Sequence, residues 1–196
     1  MHIGCDFFTQ QELESFGFKY LGKHVKIKKN ACIYNVENVS IGDYSRIDDF
    51  SVILANREDC TIGSYVHISS HCYIAAKDGF VMEDFSSLAP RVNIITGTDD
   101  YVGGSMTNAV VSSLNENVTD VRGGLIHLEK HVIIGSGSVI LPDVKACIGS
   151  SVGANSLVKK NLDPWGVYFG SPAKKILSRP SNVMLNKEKQ FLDSLR

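Results

Sequence analysis

The chain has 196 residues, 43% of them hydrophobic, with 20 basic and 21 acidic side chains and a formal charge of -1. That length fits one domain, the apolar share is enough for a core, and the lack of a basic excess excludes a general nucleic-acid binder. No run approaches the roughly 18 apolar residues of a membrane span. The opening MHIGCDFFTQ also lacks the basic-then-apolar pattern of a secretory leader, so a cytoplasmic protein without membrane insertion is expected. Five cysteines (Cys5, Cys32, Cys60, Cys72, Cys147) are scattered, odd in number and free of any C-x-x-C or His–Cys metal spacing. They read as free thiols in a reducing compartment, with no metal expected.

Thr9-Gln10-Gln11-Glu12 has the form of a capping box, Leu13 and Phe16 give one apolar side, and Gly17 ends the element. The expectation is a short helix, unstable alone, within a cap of residues 1–20 that plugs the open end of the adjoining β structure.

From residue 21 an aliphatic residue recurs every sixth position: Leu21, Ile27, Ile33; Ile41, Ile47, Ile53; Ile62, Ile68, Ile74; Met82, Leu88, Ile94. Between triplets the step lengthens to eight or nine. A helix repeats near 3.6 and a half-buried strand at 2. A period of six describes a chain that turns every six residues, so that three short strands close one triangular coil, and stacked coils make a parallel β-helix. Cys32 and Cys72 sit beside register residues and read as packing. His67 immediately precedes Ile68 and is expected to face outward, either solvated or at a seam between subunits; His71 lies on the same coil.

Residues 95–127 abandon the period for a long loop rich in Gly, Asn and Ser, yet they keep Tyr101, Val102, Met106, Val110, Val111 and Leu114. A loop this long in a compact domain is functional or disordered, and its apolar content points to one that packs on something. The period resumes at Leu128, Ile134 and Ile140; a two-residue slip then leads to Ile148 and Ala154, with Lys160 closing the register. Pro164 and Pro172 bracket a last, atypical strand at Val167–Phe169, and residues 177–196 carry apolar side chains near helical spacing.

Residues 21–176 resemble the left-handed β-helix acyltransferases, the hexapeptide-repeat family. The resemblance rests on the register, the long loop between coils, the segments VIIGSGSVILPDV and SVGANSLVKKNLDPWGVYFGSPAKKI, and the terminal G-x-P-A-K. Within the family the chain looks most like the galactoside, maltose and antibiotic acetyltransferases, especially the sugar acetyltransferases of surface-polysaccharide synthesis. The resemblance implies an all-β, left-handed solenoid with short terminal helices, and a homotrimer with active sites at the seams. It also implies acetyl-CoA as the acyl donor and a loop that walls the acceptor pocket.

By the same resemblance, Ser136 and Ala154, with Gly135 and Gly153 beside them on successive coils, line a pantetheine slot. The phosphates of CoA want cations, which Lys159, Lys160, Lys174 and Lys175 supply near that end, with Arg179 a further candidate. At the catalytic end the chain departs from its relatives. The galactoside-type enzymes carry T-G-H, with the histidine as general base, where this chain reads Asn93-Ile94-Ile95-Thr96-Gly97-Thr98-Asp99-Asp100-Tyr101. A sugar hydroxyl needs a base near neutrality, whereas an amine brings its own lone pair. Asp99 or Asp100 therefore reads as a residue that orients an amino sugar or takes its proton, or else as a turn; His131, His67 or His127 is the alternative base. Asn93, Tyr101, His71 and His127 are expected near the acceptor. The reading is a sugar O- or N-acetyltransferase. Alternatives are the same chemistry on an antibiotic or other small acceptor, and a non-catalytic β-helix binding module.

Overall fold

The computed structural model describes residues 4, 6–56 and 58–195, so Cys5 lies outside the described residues. Three sheets form the sides of a prism. The first stacks Tyr20–Leu21, Val39–Ile41, Cys60–Ile62, Phe80–Met82, Ile126–Leu128 and Lys145–Ala146. The second stacks Lys26–Ile27, Arg46–Ile47, His67–Ile68, Ser87–Leu88, Ile133–Ile134, Ser151–Val152 and Gly166–Phe169, and ends in the antiparallel strand Lys174–Ser178. The third stacks Cys32–Tyr34, Val52–Leu54, Tyr73–Ala75, Asn93–Ile95, Val139–Ile140 and Leu157–Val158. Ile41, Ile47 and Ile53 are fully buried, as are Ile62, Ile68 and Ile74, and Met82, Leu88 and Ile94. Each triplet fills one level of the prism, and the residues between them form its outer faces.

The last full coil corrects the sequence reading. Leu128 pairs with Ala146, Ile134 with Val152 and Ile140 with Val158, so the step of six runs on without a slip. Ala146, Val152 and Val158 are the buried side chains, Ile148 is half-buried, and Ala154 and Lys160 face solvent. Ile148-Gly149 imitates the Ile-Gly pairs that open earlier coils, but it lies in the corner after Ala146.

One edge of the prism is a stack of rings. His24, Tyr44, Tyr65, Phe85 and His131 each occupy the corner three residues after a leading register residue, all with φ between 57° and 62°. Their centroids are spaced 4.7, 5.4, 4.8 and 5.4 Å apart in turn. The next corner residue is Gly149, where a Cβ would collide with the Trp165 ring from the coil above. Trp165 thus fills the missing rung.

The N-terminal helix α1 (Gln10–Ser15) carries the capping box in full. Thr9 accepts from the Glu12 backbone, Glu12 accepts from Thr9, and Leu13 is buried. The C-terminal helix α3 (Ser181–Asp193) is shorter than the expected 177–196, because Lys174–Ser178 first pairs with Gly166–Phe169. It lies on the ring stack: Phe191 meets Tyr65 and Phe85 edge-on, and Glu188 pairs with Lys130 and His131.

The long loop is an ordered arm. Gly97–Asp99 pairs antiparallel with Val121–Gly123, and beyond this hairpin come helix α2 (Ala109–Leu114) and a 3-10 turn at Glu116–Val118. Tyr101, Val102 and Leu114 are more than 80% exposed, so this part of the arm finds no packing partner within its own chain.

Candidate active site

The arm leaves the prism after Ile95, at the edge between the third and first sheets, and overhangs the outer face of the third. A cavity of about 570 Å³ lies between them, lined by Asn56, Tyr73 and Lys77 from the coils and by Asp99, Ser112 and Val121 from the arm. Directly opposed residues of a hairpin share a face, as do residues two apart along a strand. Gly97 and Gly123 are opposed, as are Asp99 and Val121, so all four fall on one side. The Asp78 carboxylate nestles against the two glycines, where a Cβ at either position would strike it. Glycine is therefore required at the root of the arm, and it lets the hairpin seat closely.

The two neighbouring aspartates divide their work. Asp100 accepts from the backbone N–H of Val102 at 3.0 Å and of Gly104 at 2.8 Å, which ties up both carboxylate oxygens in the turn. These bonds hold its carboxyl below the usual range despite some opposing desolvation. Asp99 lines the cavity, and its carboxylate has no hydrogen-bond or ion-pair partner among the described residues. Asn93 stands on the same outer face, in the coil next to Tyr73, and its amide donates to the Arg91 carbonyl at 3.2 Å. Tyr101 projects from the arm beyond the cavity.

None of the histidines among the described residues lines this cavity. His67 is on the second sheet, paired with Asp48 at 2.8 Å, and His71 stacks on Phe50 at 5.0 Å where the second sheet meets the third. His127 is on the first sheet, 2.7 Å from Glu83. His131 is enclosed between Phe85 and Trp165 with Glu188 at 2.7 Å, a rung of the ring stack that is shut off from solvent.

No family profile matches the sequence. Over 188 residues it is 37% identical to the dTDP-4-amino-4,6-dideoxy-D-glucose acyltransferase of Escherichia coli, covering 96% of both chains. AntD, an N-acyltransferase from Bacillus cereus, has been crystallised as a serine-to-alanine variant with dTDP-4-amino-4,6-dideoxyglucose and coenzyme A. That structure matches with a TM-score of 0.91 and 38% identity, over 97% of this chain and 100% of that one. The chain belongs to the hexapeptide-repeat acyltransferases. The narrower expected likeness to the galactoside and maltose enzymes is one of fold alone. A maltose O-acetyltransferase from Clostridium difficile 630 matches at 20% identity and a TM-score of 0.57, over 89% of this chain and 80% of that one.

This acyltransferase is a CoA-dependent transferase, and its expected cofactor residues divide between two edges. Lys159, Lys160 and Lys174 line one cavity of about 320 Å³ where the third sheet meets the first. Lys175 donates to Asp163 at 3.0 Å, an exposed pair. Ser136, Gly153 and Ala154 occupy the opposite edge of the third sheet, and the Phe169 ring covers the space that a side chain at Gly153 would fill. The strand that leads into the arm and the strand just before the Lys159–Lys160 pair are two coils apart on the third sheet. At about 4.8 Å per strand those two strands are roughly 10 Å apart.

Sequence reading passed over Tyr73, Lys77 and Asn56. A signal was present: Tyr73-x-Ala75-x-Lys77 continues the outward alternation of its strand, and Tyr73 and Ala75 pair with Asn93 and Ile95, the residues that lead into the arm.

Proposed function

We propose that this acyltransferase transfers an acyl group from acyl-CoA to the amine of a nucleotide-linked amino sugar, forming an amide, as a homotrimer with its sites at the subunit seams. The observation that carries the reading is the Asp99 carboxylate, unpartnered among the described residues, in a cavity that none of the described histidines of its own chain lines. An amino sugar arrives largely as the ammonium ion. Asp99 pairs with it and accepts a proton, which frees the lone pair to attack the thioester carbonyl carbon. The tetrahedral intermediate then collapses, the C–S bond breaks, and the CoA thiolate leaves and takes the second proton that the attacking nitrogen gives up as it becomes the amide. A hydroxyl acceptor would need a base titrating near neutrality, and within one chain His67, His127 and His131 all stand away from the cavity, so such a base would have to come from a neighbouring copy. The relatives support the same reading. The Escherichia coli protein is a dTDP-amino-sugar acyltransferase, and AntD is an N-acyltransferase seen with dTDP and 3-hydroxybutyryl-CoA. The donor need not be acetyl-CoA, and a sugar destined for a surface glycan is the proposed context.

The test is mass spectrometry of products after incubation with acetyl-CoA or 3-hydroxybutyryl-CoA and either dTDP-4-amino-4,6-dideoxyglucose or its 4-hydroxy counterpart. The expected product is the N-acyl sugar. Acylation of the hydroxy sugar alone would sink the proposal. Asp99→Asn should lower kcat by about 100-fold or more with CoA affinity unchanged.

A further inference from the structure

The cavity beneath the arm carries two formal charges of opposite sign, Lys77 and Asp99. Neither has an ion-pair or hydrogen-bond partner for its charged group among the described residues. A neutral sugar offers the two groups hydroxyl hydrogen bonds but no opposite charge, and a free amino sugar offers a charge only to the carboxylate. A nucleoside diphosphate amino sugar is cationic at one end and anionic next to it. We infer that the Tyr73–Lys77 strip is the nucleotide subsite, with Lys77 binding the diphosphate and the Tyr73 ring serving as the platform for the base. The inference rests on the acceptor class proposed above and assigns the residues that recognise its non-reacting part.

The geometry gives the subsite a direction. Tyr73 and Ala75 face outward from one strand and Lys77 opens the turn that follows it, all three lining the cavity, with Ala75 as a small spacer between ring and ammonium. At about 3.3 Å per residue the Tyr73 and Lys77 positions are roughly 13 Å apart, a span on the scale of a nucleoside diphosphate. Tyr73 is 37% exposed, so its ring presents an open face, and the Asn56 amide stands on the neighbouring coil in the same cavity. Lys77 also borders an adjoining cavity of about 350 Å³, whose other charged lining residues are Asp78, Glu116 and Asp120, the last paired with Arg122 at 3.0 Å. The acidic excess there disfavours a diphosphate, which leaves the Tyr73 side as the place where the anion lies.

The test is isothermal titration of the full chain with dTDP, dTMP and thymidine, for wild type, Lys77→Gln, Lys77→Arg and Tyr73→Ala. Melting temperature and CoA affinity serve as controls for folding. Losing a charge-assisted bond to phosphate should weaken dTDP about tenfold or more in Lys77→Gln. Thymidine binding should stay within about twofold, and Lys77→Arg should lose less because its charge is kept. Tyr73→Ala should weaken all three ligands by similar factors through lost stacking. Unchanged dTDP affinity in Lys77→Gln, equal losses for dTDP and thymidine, or no dTDP binding by wild type would each overturn the inference. Lys77-dependent dTDP binding by an enzyme that acylates no amino sugar would support the subsite and refute the proposed acceptor.

Discussion

The Asp100 carboxylate is held low by the Val102 and Gly104 N–H groups, so its turn contributes stability above the ordinary aspartate value of 3.8. That contribution is lost only as pH falls through the lower folded value. Asp100→Ala should therefore raise amide exchange at the start of the arm at neutral pH, while costing turnover less than Asp99→Asn does; equal losses would mean that both carboxylates touch the acceptor. The thiols offer a second check at this scale. Burial pushes the Cys60 thiol up to about 12 and the Cys72 thiol up to about 11, whereas Cys32 is exposed on an outer face. Reactivity follows thiolate fraction and access. Iodoacetamide at pH 8, read by peptide mass spectrometry, should label Cys32 well before Cys60 or Cys72 in the native protein.

Helix α3 is fastened by unlike contacts. Phe191 lies edge-on against two rings, Glu188 bridges Lys130 and His131, and just before the helix Arg179 donates to the Gly149 and His131 carbonyls at 2.6 and 2.8 Å. Burial works to raise the Glu188 pKa, but hydrogen bonds from Lys130 and His131 outweigh it and hold the group below its ordinary 4.5. Its stabilising contribution is thus present above 4.5 and disappears as pH falls through the lower folded value. Wild type should lose α3 protection in acid by hydrogen exchange, and Glu188→Gln should show a weaker pH dependence over that window. Phe191→Ala should cost about 1–2 kcal/mol, less than a fully buried phenylalanine because its ring is half-exposed. The elements also show what was legible in the sequence. The six-step register could be read because every sixth side chain must enter the core, and it misled only where Ile148-Gly149 copied the local form of a coil start. The ring stack went unread because its spacing of about twenty is set by whole coils, not by neighbours. Asp99 and Asp100 were found together. Only the hairpin pairing, a contact across more than twenty residues, separates the free carboxylate from the one closing a turn.

For the whole molecule, the exposed Tyr101, Val102 and Leu114 on an ordered arm place apolar surface where a second copy can cover it. Light scattering should give three times the 21.5 kDa chain mass, and Leu114→Asp should reduce the assembled fraction and turnover together. A monomer with full activity would remove the seam from the proposal. The two-coil interval between the strand that enters the arm and the one before the Lys159–Lys160 pair has a further consequence. In a solenoid each coil touches only its neighbours, so coils can be added or removed without redesigning the rest. This protein is therefore a ruler graduated in steps of about 4.8 Å. Duplicating the first coil, which lines none of the cavity beneath the arm, should lengthen the prism and spare the chemistry. Duplicating the one between Leu128 and Ala146 should preserve the fold yet move the Lys159–Lys160 pair one graduation further from the arm, and turnover should fall with it if those lysines hold the CoA phosphates.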